Sequence, residues 1–216
     1  MGDLTQGPVC AIAAGPGTVY RNYFAPVGSR KGQSADHQID CLRDVHDHLS
    51  PDGKPLWEMQ NGYALCSGDG LEQINRHLSS IDENGRNEVR NLLRIGLHWD
   101  VQVTQPDPAH ELSQAYCSAL PVAYSSLPSD EWEPFARTVL EASYEACLLA
   151  ARENMTKTGN CVVYLTMVGG GAFGNEAGWI IDAMRRAIEL VPGTGLDVRI
   201  VHHREVHQGC IALERD

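Results

Sequence analysis

Two groups of residues in this chain have the types and spacing that chemistry needs. The first is acidic: Asp36, Asp40 and Asp44 stand four apart, and Asp47 follows three further on. On a helix such residues share one face. A carboxylate patch can hold a guanidinium through charge-assisted hydrogen bonds. A single carboxylate can orient or deprotonate a water for attack on an anomeric carbon. The competing reading is the solvated face of an acidic protein. If residues 34–49 are helical, Ile39, Leu42, Val45 and Leu49 form an apolar stripe. The acidic stripe then lies roughly 165° away, at about 100° per residue, where a solvent face belongs. Asp36 and Asp40, nearest the helix start, can reach a cleft there; Asp44 lies further along.

The second group is the segment Gly169-Gly170-Gly171-Ala172-Phe173-Gly174-Asn175. It follows the apolar run 161–168, which reads as a strand buried on both faces, and it precedes a helix. Ligands of open α/β sheets bind outside the carboxyl ends of strands. Glycines permit positive φ and close approach of a ligand to the main chain, and exposed amides there can receive a diphosphate. No GK[ST] follows, so it is not a P-loop. Nor does it hold a full GxGxxG. A plain strand–helix turn is the alternative, but the run of glycines exceeds what a turn needs. Phe173 either stacks on a ribose or base or plugs the turn into the core. Arg185 and Arg186 lie well along the next helix, so amides rather than a basic cluster would carry the phosphates.

Other reactive types are less organised. His202 and His203 point to opposite faces of an extended segment and make a poor joint metal site. No HExxH or Cys/His zinc spacing occurs. Cys117 and Ser118 are nucleophile types without a GxSxG elbow, and an extended core segment accounts for them. Asn22, Gln33 and Asn61 are polar ligand contacts or ordinary turn residues.

The elements that must position these groups alternate. Residues 9–14 read as a buried strand closed by Gly15-Pro16-Gly17, and residues 18–27 are rich in β-formers. Ser34 is a candidate N-cap for a helix to Leu49. Tyr63 to Cys66 reads as a strand. Asp69 caps a helix through Leu78, and another helix covers 87–94. In 95–103 the residues Ile95, Leu97, Trp99, Val101 and Val103 alternate with polar ones, as in a half-buried strand. Residues 114–124 are extended. A long helix opens at Asp130, a further helix carries Trp179, Ile180, Met184 and Ile188, and 196–201 is the last strand. The tail after about 204 is expected to be poorly ordered. Alternating strands and helices without a linker imply one domain over 1–216, a sheet covered by helices on both faces.

The glycine segment resembles the second phosphate-binding loop of macrodomains, which bind ADP-ribose. Ala11-Ile12-Ala13-Ala14-Gly15 is similar to that family's strand into its first ligand loop, with Gly15 where Asn is usual. The family's first-loop glycine cluster with an embedded Asp is replaced by Asn22-Tyr23-Phe24 and then Gly32-Gln33-Ser34-Ala35-Asp36-His37-Gln38-Ile39-Asp40. This pattern resembles the MavL-like macrodomains, which remove ADP-ribose from arginine. The resemblance implies a three-layer α/β/α fold, a mixed sheet flanked by helices. It implies an ADP-ribosylhydrolase favouring the arginine linkage, or a non-catalytic reader of ADP-ribose. Ala14, Gly15, Asn22, Gln33 and Gly169 to Asn175 would contact ADP-ribose, and Asp36, Asp40 and Asp44 would be catalytic. A third reading is a scaffold whose glycine loop is structural.

Composition narrows the class. The formal net charge of −11 over 216 residues repels phosphate backbones and argues against nucleic-acid partners. No apolar stretch approaches a membrane span, so no membrane partner is expected. The N-terminus lacks the basic and apolar regions of a secretory signal. Seven scattered cysteines fit a reducing cytoplasmic or nuclear setting rather than a disulfide scaffold. The expected partner is ADP-ribose or an ADP-ribosylated protein, met by a monomer with no cofactor and no metal.

Overall fold

The computed structural model describes residues 15–34, 37–60, 62–102, 111–202 and 205–213. The chain is mixed α/β. Helix α1 (Gly15–Tyr23) leads to the short strands β1 (Pro26–Val27) and β2 (Arg30–Lys31), then to α2 (Arg43–Leu49). The hairpin β3 (Trp57–Gln60) and β4 (Tyr63–Cys66) is followed by α3 (Gly68–Ser80) and α4 (Glu83–Arg90). Next come β5 (Gly96–Gln102), β6 (Glu111–Tyr116), a 3-10 turn at Val122–Tyr124 and the 30-residue α5 (Ser129–Thr158). The chain continues through β7 (Val162–Thr166), α6 (Ala177–Leu190), β8 (Asp197–Val201) and α7 (Gln208–Ile211).

The described strands pair two by two. The first three pairs are antiparallel, and β7 and β8 are parallel, with α6 as the crossover between them. The coarse expectation of a mixed α/β chain is met, with small two-stranded sheets among the described residues in place of the one mixed sheet expected. Parallel pairing needs a long crossover, and β7–α6–β8 supplies it with Val162 opposite Asp197 and Thr166 opposite Val201.

Helix α5 organises the core. Its fully buried Trp132, Phe135, Leu140, Tyr144 and Leu148 meet Ile180 and Met184 of α6 and Leu71 and Ile74 of α3. Burying each such side chain contributes about 1.5–3 kcal/mol. Local caps fix the neighbouring helices: Ser67 Oγ accepts from Gly70 N at 3.1 Å, and Asp82 Oδ1 accepts from Gly85 N at 2.9 Å. A buried polar joint ties α4, α5 and α6 together. Arg90, with a 6% exposed side chain, donates to Glu141 and to Glu83 at 2.7 Å each. Arg186 donates to Glu145 and to Asn87, also at 2.7 Å each.

Several expectations are corrected. Residues 15–23 are helical although rich in β-formers: Val19, Tyr20, Tyr23 and Phe24 fall at helical spacing and are exposed together. The helix expected from Ser34 covers only Arg43–Leu49. Ser34 instead forms an isolated bridge with His37. The Asp40 side chain accepts from Leu42 N at 2.9 Å, an Asx turn that competes with helix propagation. Asp40 therefore stands outside the helix, and of the described acidic residues only Asp44 and Asp47 lie on α2. In β5 the pairing slips between His98 and Val101, and Asp100 has φ 54°. The alternation breaks there, so Leu97 is exposed while Val101 is buried. Strand β7 is not buried on both faces: Tyr164 is exposed, and Leu165 alone of its residues is buried. The helices expected to start at Asp69 and Asn87 start earlier, behind Ser67 and Asp82. After residue 204 the chain makes α7, whose Cys210 is buried and whose start is capped by His207 Nδ1. No helix among the described residues is long and apolar enough to cross a membrane.

Candidate functional site

A cavity of about 340 Å³ opens between elements that are far apart in sequence. Its wall takes Tyr20 and Arg21 from α1, Gln33 and the stretch Gln38 to Leu42, and Tyr63 from the β3–β4 hairpin. Arg94, His98 of β5, the run from Tyr116 to Pro121, Val139 and Ser143 of α5, and Phe173 of the glycine loop complete it. Its size lies within the range of small-molecule sites, about 300–1,000 Å³.

The glycine loop divides into two kinds of position. Gly169 (φ 81°) and Gly174 (φ 71°) hold the turn itself. A Cβ at Gly169 would sit 2.3 Å from Ala119 Cβ, and one at Gly174 would sit 2.7 Å from Ala123 Cβ. Asn175 turns inward. It is buried, and its Nδ2 donates to Leu120 O at 2.8 Å, clamping the turn against the cavity wall. The amides of Gly170, Gly174 and Asn175 are spent on turn carbonyls. Gly171 has open space where a side chain would start. The consecutive amides of Gly171, Ala172 and Phe173 donate to no group among the described residues. Three free N–H groups in a row form the kind of concavity that binds anions. Positive φ is thus required at 169 and 174, not at Gly170, where a Cβ would meet Ile180 Cδ1 at 3.1 Å.

Phe173 plugs the turn against the core, as one of its two anticipated roles requires. Its ring lines the cavity, and it packs edge-on against Tyr63 (5.4 Å) and Tyr124 (5.5 Å), whose own rings are 5.4 Å apart. Its carbonyl accepts from Ala123 N at 2.9 Å. The base of the loop is set by Tyr144, whose hydroxyl donates to Thr166 O at 2.6 Å and accepts from Val168 N at 3.0 Å. Burial pushes that phenol well above its ordinary pKa, so it remains a donor.

Of the three catalytic candidates, Asp40 lines the cavity, half-buried, and is the one carboxylate among the described lining residues. Asp44 lies outside that wall and is engaged by the exposed Arg94, whose Nε donates to it at 2.7 Å. Asp36 and Ala14 lie outside the described residues. Gly15 begins α1 and is not part of the wall. Gln33 lines the cavity and donates through Nε2 to Asn22 Oδ1 at 3.0 Å, so Asn22 orients Gln33. Asn61 lies outside the described residues.

Sequence reasoning missed much of the wall. Ser143 is 2% exposed and its Oγ makes no hydrogen bond, and His98 Nδ1 is buried and also without one. An unpaired buried polar atom costs about 1–3 kcal/mol, so both are places where a polar ligand atom would be favoured. The signal for Ser143 was a serine within the apolar stripe of a long helix. Arg21 and Arg94 add basic groups to the wall that Phe173 shares, where amides rather than a basic cluster were expected to carry the phosphates. Tyr116 packs so closely on α1 that a Cβ at Gly17 would overlap its hydroxyl, and burial raises its pKa. Of the glycine loop only Phe173 lines this cavity; its wall offers arginines for charge, aromatic edges for rings, and Gln33, Ser143 and Asp40 for hydroxyls. Among the described residues no three His, Cys, Asp or Glu side chains are placed to hold a metal ion. No family model, no curated protein and no solved structure matches this chain.

Proposed function

We propose that the chain is a macrodomain-like α/β/α protein that binds ADP-ribose and removes it from modified protein, with arginine as the favoured linkage. One observation carries this reading: Phe173 of the glycine loop and the carboxylate-bearing Asp40 share the wall of one cavity. On this reading the diphosphate lies on the amides of Gly171, Ala172 and Phe173 beside the cavity, and the distal ribose extends into it toward Gln33 and Asp40. Asp40 then orients or deprotonates the attacking water and stabilises the positive charge that develops as the glycosidic bond weakens. Asp44, held by Arg94, is removed from this chemistry and supports the rim.

The test is release of labelled ADP-ribose from arginine-modified protein, run beside calorimetry with free ADP-ribose. Asp40→Asn is expected to abolish release while leaving affinity for free ADP-ribose within about tenfold, roughly 1.4 kcal/mol. Asp44→Ala is expected to retain most activity. Full activity in Asp40→Asn sinks the catalytic assignment. A second reading, a reader that binds without hydrolysis, draws support from the engagement of Asp40 with Leu42 N and from the absence of a second carboxylate among the described lining residues. Affinity for ADP-ribose with no release from any linkage would select it.

A further inference from the structure

The thiols of Cys117 and Cys147 touch. Their sulfurs are 3.8 Å apart and hydrogen-bonded, across a sequence separation of 30 residues. Neither is in a disulfide. Cys117 follows β6 directly and lines the cavity, and Cys147 lies on α5 one turn beyond Ser143, which lines it too. We propose that Cys117 and Cys147 form a covalent modification site, a dithiol that a small peroxide converts to an intramolecular disulfide fastening the cavity wall to α5.

The geometry prepares the bond. A disulfide requires sulfurs about 2 Å apart and side chains that already face one another; here a modest approach of two facing thiols suffices. The two sulfurs are not equivalent. Either sulfur can donate the hydrogen bond that joins them; with Cys117 as donor, that bond together with burial raises its pKa, and the same bond lowers that of Cys147. Cys147 is therefore the nucleophile and Cys117 the resolving thiol. Two of the other thiols are held back: burial and the neighbouring Asp40 raise Cys41, and burial pushes Cys66 up to about 12. Both reacting sulfurs are at best half-exposed, which suits a water-sized oxidant over a bulky one.

The reaction balances without a further reagent. The Cys147 thiolate attacks one oxygen of hydrogen peroxide, the O–O bond breaks, and hydroxide leaves and takes a proton to become water. Cys147 is then a sulfenic acid. Cys117 attacks its sulfur, the S–O bond breaks, and the departing hydroxide takes the Cys117 proton to form the second water. Two thiols lose two electrons in all, and one peroxide becomes two waters. The cross-link fixes the segment from Cys117 to Pro121, which lines the cavity and whose Leu120 carbonyl holds Asn175 of the glycine loop.

The test uses the full reduced chain, treated with hydrogen peroxide, alkylated with iodoacetamide and digested without reduction for mass spectrometry. The expected result is a Cys117–Cys147 linked peptide that dithiothreitol reverses, formed ahead of any other pair. In Cys117→Ser the reaction is expected to stop at a Cys147 sulfenic acid that dimedone traps. The oxidised protein is expected to melt at a higher temperature than the reduced one, and to return on reduction. Both cysteines remaining alkylatable, a dominant link through another cysteine, or a lowered melting temperature on oxidation would each overturn the proposal. The mapping needs no ADP-ribose, so its failure leaves the proposed function standing, and the converse also holds.

Discussion

At the level of single residues, the glycine loop separates positions that build the turn from one that is free to meet a ligand. Gly171 has no atom within 4 Å of where its Cβ would be. Gly171→Val should therefore leave the circular dichroism spectrum and melting temperature unchanged. Its branched side chain would cover the free amides beside it, and affinity for ADP-ribose should fall at least about tenfold, roughly 1.4 kcal/mol. Parent-like affinity in a folded Gly171→Val protein would remove the loop from the site. Ser143 offers the opposite signature. Its hydroxyl is buried without a partner, so Ser143→Ala removes an unsatisfied group and should leave stability equal or higher. If that hydroxyl meets the ligand, affinity for ADP-ribose should fall by about 0.5–1.5 kcal/mol, the usual net worth of a hydrogen bond. Unchanged affinity, measured by calorimetry, would make Ser143 a packing residue only.

At the level of elements, the joint between α4, α5 and α6 holds in place the helix that brings Val139 and Ser143 to the cavity wall. Arg90 lies between Glu141 and Glu83 with little exposure. Arg90→Leu leaves Glu141, whose side chain is 16% exposed, without its cation. Breaking a buried pair in this way costs about 3–5 kcal/mol, and urea unfolding should show it; a loss below about 1 kcal/mol would mean that the joint is solvated. The same scale shows what the sequence could reveal. The order strand, glycine turn, helix around residues 162–190 was legible because an apolar run, a glycine cluster and a 3.6-residue period stand side by side. The 34–49 segment was misread because helical spacing of Asp36, Asp40 and Asp44 says nothing about a carboxylate capturing the amide two residues on, as Asp40 does with Leu42. Helix α1 was misread for a related reason: valine and tyrosines favour strands by type, and only their spacing around Arg21 reveals a helix.

At the level of the molecule, the candidate cavity is a meeting of residues from position 17 to position 173, and periodicity in one dimension cannot announce such a meeting. Asp40, Gln33 and Phe173 could be named from motif and residue type. Arg94, His98 and Tyr116 could not, because their meeting in one wall depends on long-range packing. A net charge of −11 surrounds a wall that carries Arg21 and Arg94, so basic side chains are gathered locally on an acidic chain. The phenol of Tyr144, which bridges Thr166 and Val168, gives the loop a fixed root beside a free rim. In deuterated water this becomes a difference of clocks. The Val168 amide, bonded to both Thr166 O and Tyr144 Oη, should exchange slowly, in step with opening of the α5 core. The amides of Gly171, Ala172 and Phe173 should exchange within moments, and an anion resting on them should slow those three while leaving Val168 untouched.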